Sequence, residues 1–194
     1  MSEQKVVLLF TGPQGSGKGT QAHLLKELGN LPIVTMGDLF RELATQPTPL
    51  GLRVKAILEA GDLVPIDVWQ EVLDTHLAGI DVSRGAILDG VIRSMANAKA
   101  FAEIRAKHKL AEPLVINLDV PHDVSVDRLL KRGRHDDTRE AIEKRLAWSD
   151  AETRPVVDHY RQEGRVLDID GDAPMERVHE SIVASLTERG VLEQ

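Results

Sequence analysis

A glycine-rich loop between an apolar stretch and a helical stretch constrains the fold more than any other feature of the sequence. The apolar residues of Lys5 to Phe10 predict a buried β-strand, and the apolar spacing from Gly19 to Leu28 predicts an α-helix. The loop itself, Gly12 to Thr20, reads GPQGSGKGT. A strand, loop and helix in this order direct several backbone N–H groups to one point, where the helix dipole adds about half a positive charge. We therefore expect an anion such as phosphate to bind at the start of this helix.

The loop differs at one position from the phosphate-loop pattern G-x-x-x-x-G-K-[S/T]. Gly19 stands where the pattern has the hydroxyl residue that contacts Mg²⁺, and a hydroxyl follows one position later at Thr20. Lys18 can still reach the β- and γ-phosphates of a nucleotide. The expected ATP-binding positions of the loop are Gly15, Ser16, Gly17, Lys18, Gly19 and Thr20. The alternative is a chance glycine-rich turn, and the strand and helix in register with the loop argue against it.

Four more apolar runs follow the loop, and helical segments separate them. The runs are Ile33 to Thr35, Ala86 to Leu88, Leu114 to Leu118 and Arg165 to Ile169. Continuously apolar strands that alternate with helices are typical of parallel sheets whose two faces are both covered. We predict an α/β fold with a five-stranded parallel sheet and helices on both faces, formed by one domain of 194 residues.

Composition and charge exclude several classes of protein. The chain has no cysteine, which excludes disulfides, thiolate metal sites and thiol nucleophiles, and its seven histidines show no metal-ligand spacing. A net charge of −7 and an aromatic content of 3% argue against binding to nucleic acid polymers. The longest apolar run, Val6 to Phe10, is far shorter than the roughly 20 residues of a membrane span, and the first residues do not resemble a signal peptide. We expect a cytoplasmic monomer that does not bind membranes.

One basic window lies in this acidic chain. Between Arg128 and Arg145, seven basic and four acidic residues give a net charge of +3. Arg128 and Arg132 are four residues apart on a helix predicted from Pro121 to about Arg132, so they share one of its faces. A capping box that begins at Asp137 predicts the start of the next helix, with Asp137 as its cap. A local positive charge of this kind suits a small polyanion.

The loop and seven further motifs resemble the adenylate kinase family of nucleoside monophosphate kinases. Gly-Thr-Gln directly after Lys18 is similar to that family's phosphate loop, whereas most other phosphate-loop proteins have Ser or Thr after the lysine. The further motifs, in chain order, are TMGDLFR from Thr35, the stretch Leu50 to Val64, LDGVIR from Leu88, LDVP from Leu118, RLLKR from Arg128, GRHDD from Gly133 and KRL from Lys144. The resemblance implies a P-loop NTPase fold whose core comprises residues 1–36, 65–127 and 138–194. It also implies a small helical lobe that binds the monophosphate, at about 37–64, and a very short lid at about 128–137.

The resemblance implies a reaction and a set of site residues. The reaction is transfer of the γ-phosphoryl group of ATP to a nucleoside monophosphate, with AMP as the expected acceptor and Mg²⁺ as the metal ion. Six residues are expected to be catalytic, namely Lys18, Asp89, Arg93, Arg132, Arg134 and Arg145. Asp89 would orient Mg²⁺ through a water molecule, and Arg128 would lie beside the adenine of ATP. The expected monophosphate-binding residues are Met36, Arg41, Val64, Gly90, Arg93 and Asn97.

Three departures from the family pattern lie in the expected acceptor pocket. Met36 replaces a threonine, Val91-Ile92 replaces Phe-Pro, and Asn97 replaces the glutamine that reads AMP. Kinases for UMP and CMP also have asparagine at the position of Asn97, so a pyrimidine monophosphate is the alternative acceptor. The turn at Ile92 is expected to be trans, because a non-proline cis bond costs roughly 2.5–4 kcal/mol. A nucleotide-binding regulatory protein is a second alternative, and the retained charged residues argue against it.

Two further expectations concern the lid and Asp38. Only Gly133 separates Arg132 from Arg134, so the lid is expected to be a tight turn rather than a lobe. Lid closure excludes water, so a shortened lid could change ATP hydrolysis or the rate of opening. Asp38 is expected either to join the Mg²⁺ network or to cap a helix before Leu39.

Overall fold

A parallel five-stranded β-sheet forms the centre of the protein. The structure is a computed structural model that describes residues 5–60, 64–133 and 137–192. The strands are β1 (Val6–Thr11), β2 (Ile33–Thr35), β3 (Gly85–Asp89), β4 (Leu114–Asp119) and β5 (Val166–Asp170). Their spatial order is β2-β3-β1-β4-β5, and every pair is parallel. The five predicted apolar runs are these five strands, so the predicted α/β fold class is confirmed.

Eight helices within the described residues surround this sheet. They are α1 (Lys18–Gly29), α2 (Met36–Leu43), α3 (Pro49–Glu59), α4 (Ile66–Ala78), α5 (Met95–Lys107), α6 (His122–Arg132), α7 (Arg139–Gln162) and α8 (Met175–Glu188). Leu8 and Phe10 of β1 pack in an apolar cluster with α1 and α8, whereas Val7 and Leu9 pack on the other face with α4, α5 and α7. Side chains of a strand point alternately to its two faces, so both sheet faces are apolar and both are covered.

The segment at about 37–64, expected to be a small helical lobe, follows β2. Over residues 36–60, helices α2 and α3 are the regular elements. The division into core, acceptor lobe and lid stays a prediction. Among the described helices, none combines the length and the apolar character that crossing a membrane requires.

Hydroxyl side chains cap three of the helices, and one predicted cap was wrong by a residue. The Thr138 side chain accepts a hydrogen bond from the Ala141 backbone N–H, so Thr138 rather than Asp137 caps α7. Asp38 does not cap a helix either, because α2 already begins at Met36 and Asp38 lies in its first turn. Both carboxylates instead form ion pairs with arginines.

Candidate active site

The phosphate loop connects β1 to α1 at the carboxyl edge of the sheet. Gly12 has a φ of +127°, and a Cβ there would collide with the Leu118 carbonyl oxygen of β4. Gly17 is the N-cap of α1 and has a left-handed backbone, with a φ of +92°. Glycine alone adopts such angles without strain, and these two positions allow the loop to curl around the start of α1. Ligands bind at this edge in open parallel sheets.

The Lys18 side chain folds back onto the loop that carries it. Its Nζ donates hydrogen bonds to the carbonyl oxygens of Gly12 and Pro13, at 2.9 and 2.7 Å. Burial lowers the pKa of Lys18 to about 8, and the nearby Asp89 carboxylate opposes this shift, whereas Arg93 and Arg132 add to it. Lys18 thus lies within electrostatic range of one aspartate and two arginines.

Gly19 makes room for the Asp89 carboxylate. Asp89 is the last residue of β3 and lies beside Phe10 of β1, the neighbouring strand that leads into the phosphate loop. A Cβ at Gly19 would lie 3.2 Å from Asp89 Oδ2, which is closer than such contacts normally come. The missing hydroxyl of the loop therefore has a structural reason, because a side chain at position 19 would press on this carboxylate. Burial raises the pKa of Asp89, and the positive charges of Lys18 and Arg93 oppose that shift.

Arg93 is tied to the loop that follows β3. Its Nε donates a hydrogen bond to the Gly90 carbonyl oxygen at 3.1 Å, and its guanidinium lies over the open side of Gly90, whose φ is +62°. Burial lowers the pKa of Arg93, although the Asp89 charge counteracts this. Residues 5–60, 64–133 and 137–192 contain no cis peptide bond, so the turn at Val91-Ile92 is trans, as predicted.

The predicted acceptor residues lie in and around the helical stretch after β2. Met36 is 2% exposed and packs in the apolar cluster under α4 and α5, and Val64 packs against the same cluster. Arg41 is half exposed, forms an ion pair with Asp38, and lies over Gly37. This ion pair gives Asp38 its partner within α2.

Asn97 is part of the N-cap of α5. The Ser94 hydroxyl accepts a hydrogen bond from the Asn97 backbone N–H at 3.2 Å and donates one to Asn97 Oδ1 at 3.1 Å. The side-chain oxygen of Asn97 is thus occupied. Its Nδ2 group has no hydrogen-bond partner among the described residues, so Asn97 can present a donor to a ligand.

A buried carboxylate joins two of the predicted catalytic arginines. Asp137 accepts hydrogen bonds from Arg132 Nε at 2.9 Å and Arg132 Nη2 at 2.8 Å, and from Arg145 Nη2 at 2.9 Å. Its side chain is 0% exposed, whereas those of Arg132 and Arg145 are 34% and 27% exposed. We call Arg132, Asp137 and Arg145 the arginine clasp. Both arginines were predicted to be catalytic, whereas Asp137 was predicted only as a helix cap, since its position beside them in the lid motif does not reveal these bonds.

Arg128 lies on α6 one turn before Arg132, as predicted from their spacing. Its Nη1 donates a hydrogen bond to the Gly171 carbonyl oxygen at 2.8 Å, in the loop between β5 and α8. Arg134 was also predicted to be catalytic, and it lies outside the described residues. The structure thus brings Lys18, Asp89, Arg93 and Arg132 together, and places Arg128 beside the loop after β5.

Comparison with known proteins shows the family of this chain. A family model described as adenylate kinase matches residues 10–165. The chain is 38% identical to adenylate kinase 1 of Nostoc sp., and the match covers 92% of this chain and 97% of the relative. It is 41% identical to an adenylate kinase of Xylella fastidiosa (92% and 98% covered) and 40% identical to one of Nocardia farcinica (94% and 98% covered). With a phosphate loop, a strand-end carboxylate and converging arginines in place, the chain belongs to the adenylate kinase family.

Proposed function

We propose that the protein transfers the γ-phosphoryl group of ATP to AMP and so forms two molecules of ADP. Its family makes it an ATP-dependent phosphotransferase that acts on nucleoside monophosphates. The observation that carries the proposal is that Asp89, Arg93 and Arg132 lie within electrostatic range of Lys18, which begins α1 at the carboxyl edge of the sheet. Phosphoryl transfer needs mainly positioning and neutralisation of charge, and this group of side chains provides both.

The donor end is the part of the site around the phosphate loop. The loop amides of Gly15 to Thr20 and the start of α1 would hold the ATP phosphates, and Lys18 would exchange its two carbonyl acceptors for phosphate oxygens. The two arginines of the clasp, together with Arg134, would neutralise the charge that develops on the transferred group. Arg128 would lie beside the adenine, next to the loop after β5.

Asp89 is the residue that fits a role in binding Mg²⁺. Its carboxylate is part-buried at a strand end and accepts no hydrogen bond from any side chain of the described residues. Those residues contain no cluster of three metal-ligating side chains, which suits an ion held mainly by nucleotide phosphates and water. Mg²⁺ would neutralise the phosphates when it is bound with ATP, and Asp89 would orient it through a water molecule.

The acceptor end comprises Arg41, Arg93 and the residues around the loop after β3. Bidentate guanidinium groups suit the phosphate of AMP, and Arg93 already has its position fixed by Gly90. Met36, Val64, Gly90 and Asn97 would surround the base and ribose, with Asn97 Nδ2 as a hydrogen-bond donor. The relatives that match over nearly the whole chain are named adenylate kinases, and this favours AMP over a pyrimidine monophosphate.

The proposal extends to the organisation of the chain. Residues at about 37–64 would form the lobe that binds AMP, and residues at about 128–137 would form the short lid. A monomer would suffice, because every residue proposed for the site comes from one chain. Light scattering after size-exclusion chromatography measures that state directly.

The test of the proposed function is the rate of ADP formation with each acceptor. ATP and Mg²⁺ are supplied with AMP, CMP, UMP, dCMP or GMP in separate reactions, and an acceptor-free reaction measures hydrolysis. We expect AMP to give the highest rate, and Lys18→Ala to lower it on the order of 10²-fold or more, by analogy with the loss of one charge-stabilising donor. Lys99→Ala is the matched control, since Lys99 is exposed on α5. A higher rate with CMP or UMP than with AMP would show that the acceptor is a pyrimidine monophosphate. If ADP forms no faster with any acceptor than in the acceptor-free reaction, the kinase activity is refuted.

A further inference from the structure

Two side chains from different helices hold the backbone of the loop that carries Arg93. The Trp69 indole Nε1 of α4 donates a hydrogen bond to the Val91 carbonyl oxygen at 3.0 Å. The Thr153 hydroxyl of α7 donates one to the Arg93 carbonyl oxygen at 3.2 Å. Trp69 and Thr153 are 4% and 8% exposed, so water does not compete effectively for either bond.

This loop depends on such bonds because it lies outside regular structure. Residues 90–93 connect the end of β3 to Ser94, the N-cap of α5. Val91 and Ile92 are 0% and 1% exposed, so their backbone polar groups must find partners inside the protein. The loop also contains no proline to restrict its dihedral angles, and Gly90 adds freedom at its start. The bonds from Trp69 and Thr153 therefore restrict a segment that its own residues leave free.

The position of the Arg93 guanidinium follows directly from the position of this loop. Its Nε is bonded to Gly90 within the same segment, so the side chain and the backbone move together. Asp89 immediately precedes the segment, and its charge is coupled to that of Arg93. A displacement of the loop by a fraction of an ångström would therefore change the distance between the guanidinium, the carboxylate and a bound phosphate.

We propose that Thr153 and Trp69 are positioning residues for the acceptor half of the site, and that they act by fixing the loop that carries Arg93. The inference rests on the proposed function, since it assigns them a role in binding and turning over AMP. Thr153 adds a connection between the two halves of the site, because α7 also carries Arg145 of the arginine clasp. Thr153 and Arg145 are eight positions apart on α7, which is about 12 Å along the helix axis.

The experiment compares four variants by steady-state kinetics with AMP and ATP varied in turn. Thr153→Val removes the hydroxyl and keeps the shape, Thr153→Ser keeps the hydroxyl, and Trp69→Phe removes the indole N–H. Thr187→Val is the matched control, because the Thr187 hydroxyl makes a comparable bond to a backbone carbonyl on α8, away from the site. Melting temperatures are measured for each, and assays are run well below the lowest of them.

We expect Thr153→Val and Trp69→Phe to raise KM for AMP and lower kcat, by about three- to tenfold in kcat/KM, the range that loss of one neutral hydrogen bond allows. KM for ATP should stay within about twofold of wild type, and Thr153→Ser and Thr187→Val should behave as wild type. If the two residues had a purely structural role, their replacement would lower the melting temperature without affecting KM for AMP more than KM for ATP. If Thr153→Val does not fold, Thr153→Ala removes the same hydroxyl and is held to the same expectation.

Three results would overturn the inference. The first is an unchanged KM for AMP in both Thr153→Val and Trp69→Phe. The second is an equal change in KM for AMP and KM for ATP. The third is a Thr153→Ser variant whose kinetic constants differ from those of wild type. Failure of the proposed function looks different, because wild-type protein itself would then show no AMP-dependent formation of ADP.

Discussion

Replacing Lys18 by methionine should stabilise the folded protein while it removes the activity. Lys18 is held inside the phosphate loop, and burial lowers its pKa from 10.5 to about 8. A pKa shift of this size means that the charged lysine destabilises the folded state by at most about 3.4 kcal/mol. Methionine cannot make the hydrogen bonds that Lys18 donates to the carbonyl oxygens of Gly12 and Pro13, so the gain in stability is smaller than this cost. We therefore expect Lys18→Met to raise the free energy of unfolding at pH 7 by about 2 kcal/mol.

The pH dependence of this gain has a definite sign. Below pH 8 the lysine is protonated in both the folded and the unfolded wild-type protein, so the folded state bears the full cost. Between pH 8 and 10.5 the unfolded chain binds more protons, and the stability of the wild type rises with pH. The advantage of Lys18→Met should therefore be greatest at pH 7 and shrink steadily across that interval.

The assay is urea unfolding without nucleotide, followed by circular dichroism at pH 7 and pH 9.5. Lys99→Met serves as the control for replacing an exposed lysine and should change stability by less than about 0.5 kcal/mol. The reasoning fails if Lys18→Met is no more stable than wild type at pH 7, or if its advantage is the same at both pH values.

Three other substitutions test the remaining contacts of the site. Gly19→Ala should lower kcat by about tenfold or more in assays with Mg²⁺ and ATP, because the new Cβ would press on Asp89 Oδ2; wild-type turnover would contradict this. Asp137→Asn should lower the free energy of unfolding by about 1–3 kcal/mol in urea titrations, since it weakens charge-assisted bonds to Arg132 and Arg145; unchanged stability would count against the arginine clasp. The acid limb of the pH–rate profile should lie above the ordinary aspartate range, because burial raises the pKa of Asp89 and protonation removes its charge. That limb should disappear in the residual activity of Asp89→Asn, and its persistence would assign it to another group.

The fold could be predicted from the sequence because its strands are short, apolar and separated by helices. Buried parallel strands are apolar on both faces, as the central residues of β1 and β3 are, whereas β5 has the exposed Asp168 between the buried Leu167 and Ile169. The helix cap at Thr138 could not be predicted, because Asp137 and Thr138 are both good capping residues. The choice between them depends on Arg132 and Arg145, which come from two different helices.

The candidate site residues could be proposed from sequence motifs, whereas the contacts between them could not. Lys18, Asp89 and Arg93 were identified from motifs that follow strands. The reason for Gly19 could not be found in the loop itself, because it depends on β1 and β3 lying side by side. Trp69 and Thr153 carry no motif, and only the packing of α4 and α7 brings them to the loop after β3.

If Arg132 and Arg145 bind nucleotide phosphates, as we propose, the arginine clasp makes that binding an exchange of one anionic partner for another. Arg132 and Arg145 already have a carboxylate as their counterion, so a phosphate that approaches them gains only the difference between the two partners. A single phosphate ion would interact with the two arginines little more favourably than the Asp137 carboxylate already does. A triphosphate would also be held by the phosphate loop and by Lys18. The clasp would therefore discriminate against free phosphate in favour of a ligand that is held at several points. Asp137 would set the interaction energy that a ligand must exceed in order to bind the two arginines.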